Sequence, residues 1–101
     1  MTILAVAAAF SLPLKAQQAR PAGAAVSIDG FNFTPVKLSV HQGDPIIFTN
    51  NDIVRHDVTG DGWGAGTILV GASGVATINK AGTFDYICTR HPGMAGTIVV
   101  E

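Results

Sequence analysis

From Ala24 onward, short apolar runs alternate with clusters of Gly, Asp, Asn and Pro. That pattern predicts an all-β chain, because strands of about 4–8 residues are bounded by turn-forming residues in this way. Ala25 to Asp29 is the first expected strand. Gly30-Phe31-Asn32-Phe33-Thr34-Pro35 follows as a connector whose two aromatics are expected to plug the core. Lys37-Leu38-Ser39-Val40 alternates polar and apolar, as a half-buried strand does. His41 to Asp44 reads as a turn, and Pro45 to Asn50 as a strand with Ile46 and Phe48 on one face. Past the turn Asn50-Asn51-Asp52, Arg55 to Thr59 is a short strand carrying His56. The run Gly60 to Gly66 lacks the Gly-Lys-Ser/Thr ending of a phosphate loop, so it reads as an irregular loop with Trp63 over the core. Thr67 to Val70, Val75 to Asn79 and Thr83 to Ile87 are further strands, and Gly96 to Glu101 closes the sheet. About eight short strands without a helical period predict a small Greek-key β-sandwich or flattened barrel.

The first 24 residues differ from the rest. Ile3 to Leu14 is an alanine-rich apolar run of 12 residues, followed by Lys15. It is too short for a bilayer span of about 20 residues and suits the hydrophobic part of a secretory signal. Residues 1–24 are therefore expected to be a signal peptide, and 25–101 a single domain exported to the periplasm. No Lys or Arg precedes Ile3, so the usual basic start is missing, and an amino-terminal helix is the competing reading. Charged residues make up 13% of the chain and hydrophobics 48%, which suits a packed domain rather than a disordered one. The formal charge is −1, and loss of Lys15 and Arg20 would make it −3, so nothing invites nucleic acid. A single cysteine excludes an internal disulfide.

That cysteine changes the picture. Tyr86-Ile87-Cys88-Thr89-Arg90-His91-Pro92-Gly93-Met94 places Cys, His and Met at successive spacings of three, between two expected strands. Taken singly, Cys88 reads as a small buried hydrophobe and Met94 as core filler. Taken together they are the soft and borderline donors that suit copper. Structural zinc sites usually pair cysteines, and methionine is not among zinc's usual ligands. A Cys–His nucleophile would need an orienting group and an oxyanion hole, and neither is evident nearby. The missing donor is a second histidine. His56 is the candidate, brought in from another strand that ends at the same pole, whereas His41 lies in a polar turn and reads as surface. His56, Cys88 and His91 with Met94 as a weak axial donor is the arrangement of a blue-copper electron-transfer site.

Cys88-x-x-His91-Pro92-x-Met94-x-Gly96-x-Ile98-x-Val100, with Tyr86 ahead of it and His56-x-Val58 upstream, resembles the cupredoxin family. Phe31-x-Phe33-x-Pro35, Gly43-Asp44 and Gly82-x-Phe84-x-Tyr86 fit the same family. The resemblance covers residues 25 to 101. It implies a Greek-key sandwich with one type 1 copper ion, Cu(I) or Cu(II), near one end, and His91 near the surface as the electron port. It also implies a monomeric one-electron carrier, not an enzyme, working between transient redox partner proteins and without a membrane span. In many relatives an asparagine follows the first histidine ligand; here it is Asp57, which implies a lower reduction potential. Arg55 and Arg90 lie close in sequence to the histidines; an ordinary solvated rim is the first reading of them, and a basic collar for an acidic partner the functional alternative.

Copper handling without electron transfer is the alternative function. Chaperones and buffers favour Met- or His-rich tracts, and this chain has only Met1 and Met94. An oxidase or reductase domain would need a further histidine-rich copper site, for which only His41 is spare.

Overall fold

The computed structural model describes residues 24–101. The expected signal segment lies outside the described residues except for Ala24, which opens the first strand. Nine strands form: β1 Ala24–Asp29, β2 Asn32–Thr34, β3 Lys37–Val40, β4 Ile46–Asn50, β5 His56–Gly60, β6 Gly64–Ile68, β7 Ser73–Ala76, β8 Gly82–Cys88 and β9 His91–Val100. No helix occurs among the described residues.

The strands make two sheets, ordered β2-β1-β4-β7 and β3-β9-β8-β5-β6. Two pairs, β1 with β4 and β3 with β9, run parallel, and the other ladders are antiparallel. Parallel neighbours cannot be joined by a tight hairpin, so the chain crosses between sheets, as Greek-key sandwiches do. The period of two sorts each strand's faces. In β4, Ile46, Phe48 and Asn50 are buried while Ile47 and Thr49 are only partly covered. Phe48, Ile28, Ile46 and Ile98 are wholly buried between the sheets. Each such side chain contributes about 1.5–3 kcal/mol.

Tyr86 is the hub of this core. Its ring meets Phe33 at 4.7 Å, Phe48 at 5.5 Å and Trp63 at 5.6 Å, all edge-to-face. Gly96 lies opposite it on β9, and a Cβ there would run into the Tyr86 ring. Tyr86 and Cys88 share the inward face of β8, so the packing that seats the ring also aims the thiol inward.

Three expectations need correction. The connector 30–35 is half of a hairpin: β2 pairs with β1, so the described residues form nine strands rather than about eight. Phe33 plugs the core at 3% exposure, but Phe31 stays 43% exposed. The glycine run is not all loop. β6 begins at Gly64, where a side chain would collide with the Val58 carbonyl, so glycine permits close pairing with β5. The segment carrying Cys88 and His91 is shorter than a free loop as well. It is a tight hairpin with Thr89 and Arg90 at its tip and a register shift at Ile87/Cys88.

Candidate metal centre

The four predicted residues come from β5, β8 and β9, which are neighbours in or near the middle of the five-stranded sheet. β5 pairs antiparallel with β8, so the start of β5 lies at the end of β8. This brings His56 to Cys88 across 32 residues of sequence. Cys88 Sγ is 3.7 Å from His56 Nδ1 and 3.7 Å from His91 Nδ1. One donor atom from each of the three residues lies within 4.8 Å of the others. Met94 is buried on the inward side of β9, in line with Gly96, Ile98 and Val100. His41 is exposed and pairs with Asp44 away from this cluster, as expected.

The donors suit a metal in spacing as well as in type. Bonds of about 2.3 Å to sulfur and about 2.0 Å to nitrogen, spread at roughly 120°, put S and N about 3.7 Å apart. Two imidazoles and a thiol, with a buried thioether three residues past His91, are a copper set rather than a magnesium or calcium set.

Each donor is held from behind. His56 is wholly buried, and its Nε2 lies 2.8 Å from Asp52 Oδ2. A carboxylate there accepts the Nε2 proton and leaves the Nδ1 lone pair facing Cys88. Asp52 is fixed in turn. Its Oδ2 accepts the Phe31 N–H at 2.9 Å, and its Oδ1 accepts the Ile53 N–H at 2.8 Å. These bonds, the Phe31 one foremost, hold the Asp52 carboxyl below its ordinary value. Asn50 anchors the turn: its side-chain oxygen accepts from Asp52 N–H, and its amide donates to the Val54 and Ile68 carbonyls, each at 2.9 Å.

On the sulfur side, the Asp57 N–H points at Cys88 Sγ, 3.4 Å away. The Asp57 carboxylate ties the hairpin tip down. It accepts the Thr89 N–H at 3.0 Å and the Thr89 and Thr59 hydroxyls at 2.7 Å each. Burial alone would raise its carboxyl, but the Thr89 bonds and then Thr59 outweigh that and keep it below the ordinary value.

Two contributors were not evident in the sequence. Asp52 read as a turn residue. Phe31 read as core, yet it adopts a left-handed backbone with φ 62°. That conformation swings its ring over the site, 5.4 Å from His56 and 4.7 Å from His91, edge-on to both. The only advance signals were Asp52's place four residues before His56 and a glycine just before Phe31.

The Cupredoxin-like domain family matches residues 1–100. This chain belongs to the cupredoxin family. Among cupredoxins, amicyanin-alpha of Methylorubrum extorquens is 34% identical, over 96% of this chain and 88% of that protein. The amicyanin of Paracoccus versutus is 28% identical over 75% of this chain, which spans 63% of that protein's length. An oxidized amicyanin mutant superposes with a TM-score of 0.73 at 27% identity, covering 85% of this chain and 89% of the other.

Proposed function

We propose that this chain is a type 1 copper protein that shuttles single electrons between partner proteins, and that His56, Cys88, His91 and Met94 are the residues that would hold the copper. The observation that carries this reading is the three-donor cluster: the Cys88 sulfur and one ring nitrogen from each of His56 and His91, all within 4.8 Å of one another. Met94 is buried on the inward face of β9, the strand that His91 opens. Bound copper would supply the one-electron couple, and solved amicyanin structures include oxidized and reduced Cu(I) forms.

The chain's own residues supply the rest. His56 and Cys88 are wholly buried and their neighbours are locked by hydrogen bonds, so the donor set resists rearrangement. A site that moves little between oxidation states transfers electrons with little reorganisation. The core excludes water from Cys88, and the Phe31 ring packs edge-on against His56 and His91. His91 is the one donor of the three that is only half-buried, whereas His56 and Cys88 are wholly buried. A partner therefore comes nearest to the centre at the His91 edge. Arg55 and Arg90 are exposed next to the two histidines, which suits an acidic partner face.

The setting we propose is the periplasm, with residues 1–24 as the export signal and 25–101 as a monomeric, non-enzymatic carrier domain. No helix among the described residues is long and apolar enough to cross a membrane. Storage or delivery of copper fits less well, because the donors are buried and rigidly held rather than exposed and adaptable.

The test is the visible spectrum of the purified protein after Cu(II) is added. An intense blue band, bleached by a mild reductant and lost in Cys88→Ala, is expected. A pale tetragonal spectrum, or no uptake, would overturn the carrier reading and shift weight to copper handling.

A further inference from the structure

Asp57 is 6% exposed, and its Oδ2 lies 3.8 Å from Cys88 Sγ. A carboxylate so close to the sulfur of a metal centre does more than tie down a hairpin. Its donors, Thr89 N–H, Thr89 Oγ1 and Thr59 Oγ1, are all neutral. Among the described residues no lysine or arginine forms an ion pair with it. Arg55 and Arg90 are exposed, so water and salt screen them. The negative charge on Asp57 therefore stays largely unbalanced by the protein.

We propose that Asp57 makes this centre selective for a divalent ion over a monovalent one, and so holds its copper couple at low potential. Metal binding requires Cys88 as thiolate. Thiolate and carboxylate together carry two negative charges, which a dication balances. A monocation leaves one buried negative charge uncompensated, and that is costly in a medium that solvates ions poorly. Asp52, beyond the His56 ring, biases the site the same way. The inference rests on the ligand assignment proposed above and goes beyond it: Asp57 is a positioning and charge-setting residue, not a ligand. It also specifies the donor, which must be a more strongly reducing protein than a site without this carboxylate would need.

The experiment compares wild-type protein with Asp57→Asn. The amide matches the carboxylate in size and still offers an oxygen to the Thr89 N–H, but it carries no charge. Asp57→Ser serves as a second neutral variant if the amide does not fold. Two quantities are measured on each: the midpoint potential of the copper protein, and the ratio of Co(II) to Ag(I) affinities by competition with chelators. The second is read without redox chemistry. Removal of the charge is expected to lower the Co(II)/Ag(I) ratio by about tenfold or more. The copper potential rises with it, by about 59 mV per tenfold change in the Cu(II)/Cu(I) affinity ratio. The intense thiolate band persists, because the ligands stay in place. If the band persists but neither ratio nor potential moves, Asp57 is a structural clasp only and the inference fails. If neither neutral variant folds while wild-type prefers Ag(I) to Co(II) no less than Cys/His₂ peptides do, it also fails. Absence of the intense band in wild-type protein is a different result, which overturns the carrier reading itself.

Discussion

Asp52 Oδ2 and His56 Nε2 lie 2.8 Å apart, both buried, on the side of the imidazole that faces away from Cys88. The ring is thus held at both ends: one nitrogen by a carboxylate, the other facing the sulfur at 3.7 Å. A carboxylate behind a ligating histidine sets its tautomer and raises its basicity. In Asp52→Ala, the Phe31 and Ile53 N–H groups and His56 Nε2 all lose their acceptor. Copper affinity is expected to fall by roughly 10- to 100-fold. Competition with a chelator of known affinity measures this. An unchanged affinity would mean that the core alone orients His56.

Phe31 predicts a separation of stability from metal retention. Its φ of 62° is unfavourable for a bulky residue and easy for glycine. Its ring is 43% exposed, so it contributes little to the core. Phe31→Gly is expected to leave the metal-free protein within about 1 kcal/mol of wild-type stability, since relieved strain offsets the lost contact. Copper extraction by a chelator should become several-fold faster, because the ring no longer covers His56 and His91. Thermal unfolding of the metal-free protein and stopped-flow extraction test the two halves separately.

The Tyr86–Gly96 contact predicts two substitutions of opposite character. The Tyr86 hydroxyl is buried without a hydrogen-bond partner among the described residues, and burial pushes its pKa far above the ordinary range. Tyr86→Phe removes an unsatisfied group and keeps the ring, so stability should change by less than about 1 kcal/mol or rise. Gly96→Ala drives a methyl into that ring and should cost about 1–3 kcal/mol. Urea unfolding of the metal-free protein distinguishes them. A large loss in Tyr86→Phe would show that the hydroxyl has a partner.

Acid should destabilise the metal-free protein through two carboxylates. Asp52 and Asp57 both have folded pKa values below the ordinary one. As pH falls, the unfolded chain takes up protons on these groups first, near pH 3.9, and the folded chain only later. The stability they contribute is complete above about pH 5 and is lost as pH drops through the folded values. Melting temperature should therefore fall between about pH 5 and pH 3, and the fall should be shallower in Asp57→Asn. Parallel curves for the two proteins would contradict this.

Much of the candidate site is local and so was readable in advance. Cys88, His91 and Met94 lie within one short segment, and donor type with spacing already implies soft-metal chemistry. Strand faces were equally legible, because alternation in Lys37–Val40 or Ile46–Asn50 reports which side is buried without reference to any partner strand. Strand boundaries in glycine-rich stretches were not legible. Glycine in Gly64–Ile68 signals loop by propensity, but close backbone pairing with β5 overrides it.

Alternation of apolar and polar residues sets the all-β pattern, and residue type with spacing places three soft donors in one short segment. Which distant groups join that segment follows from how the strands pair. His56 reaches Cys88 because β5 pairs with β8, and Asp57 reaches Thr89 through the same pairing. Phe31 covers the site because of one left-handed backbone angle, and Asp52 faces His56 because Asn50 shapes the turn between β4 and β5. Such approaches depend on register and packing summed over the whole sandwich, whereas residue type and spacing act within a few positions of the chain.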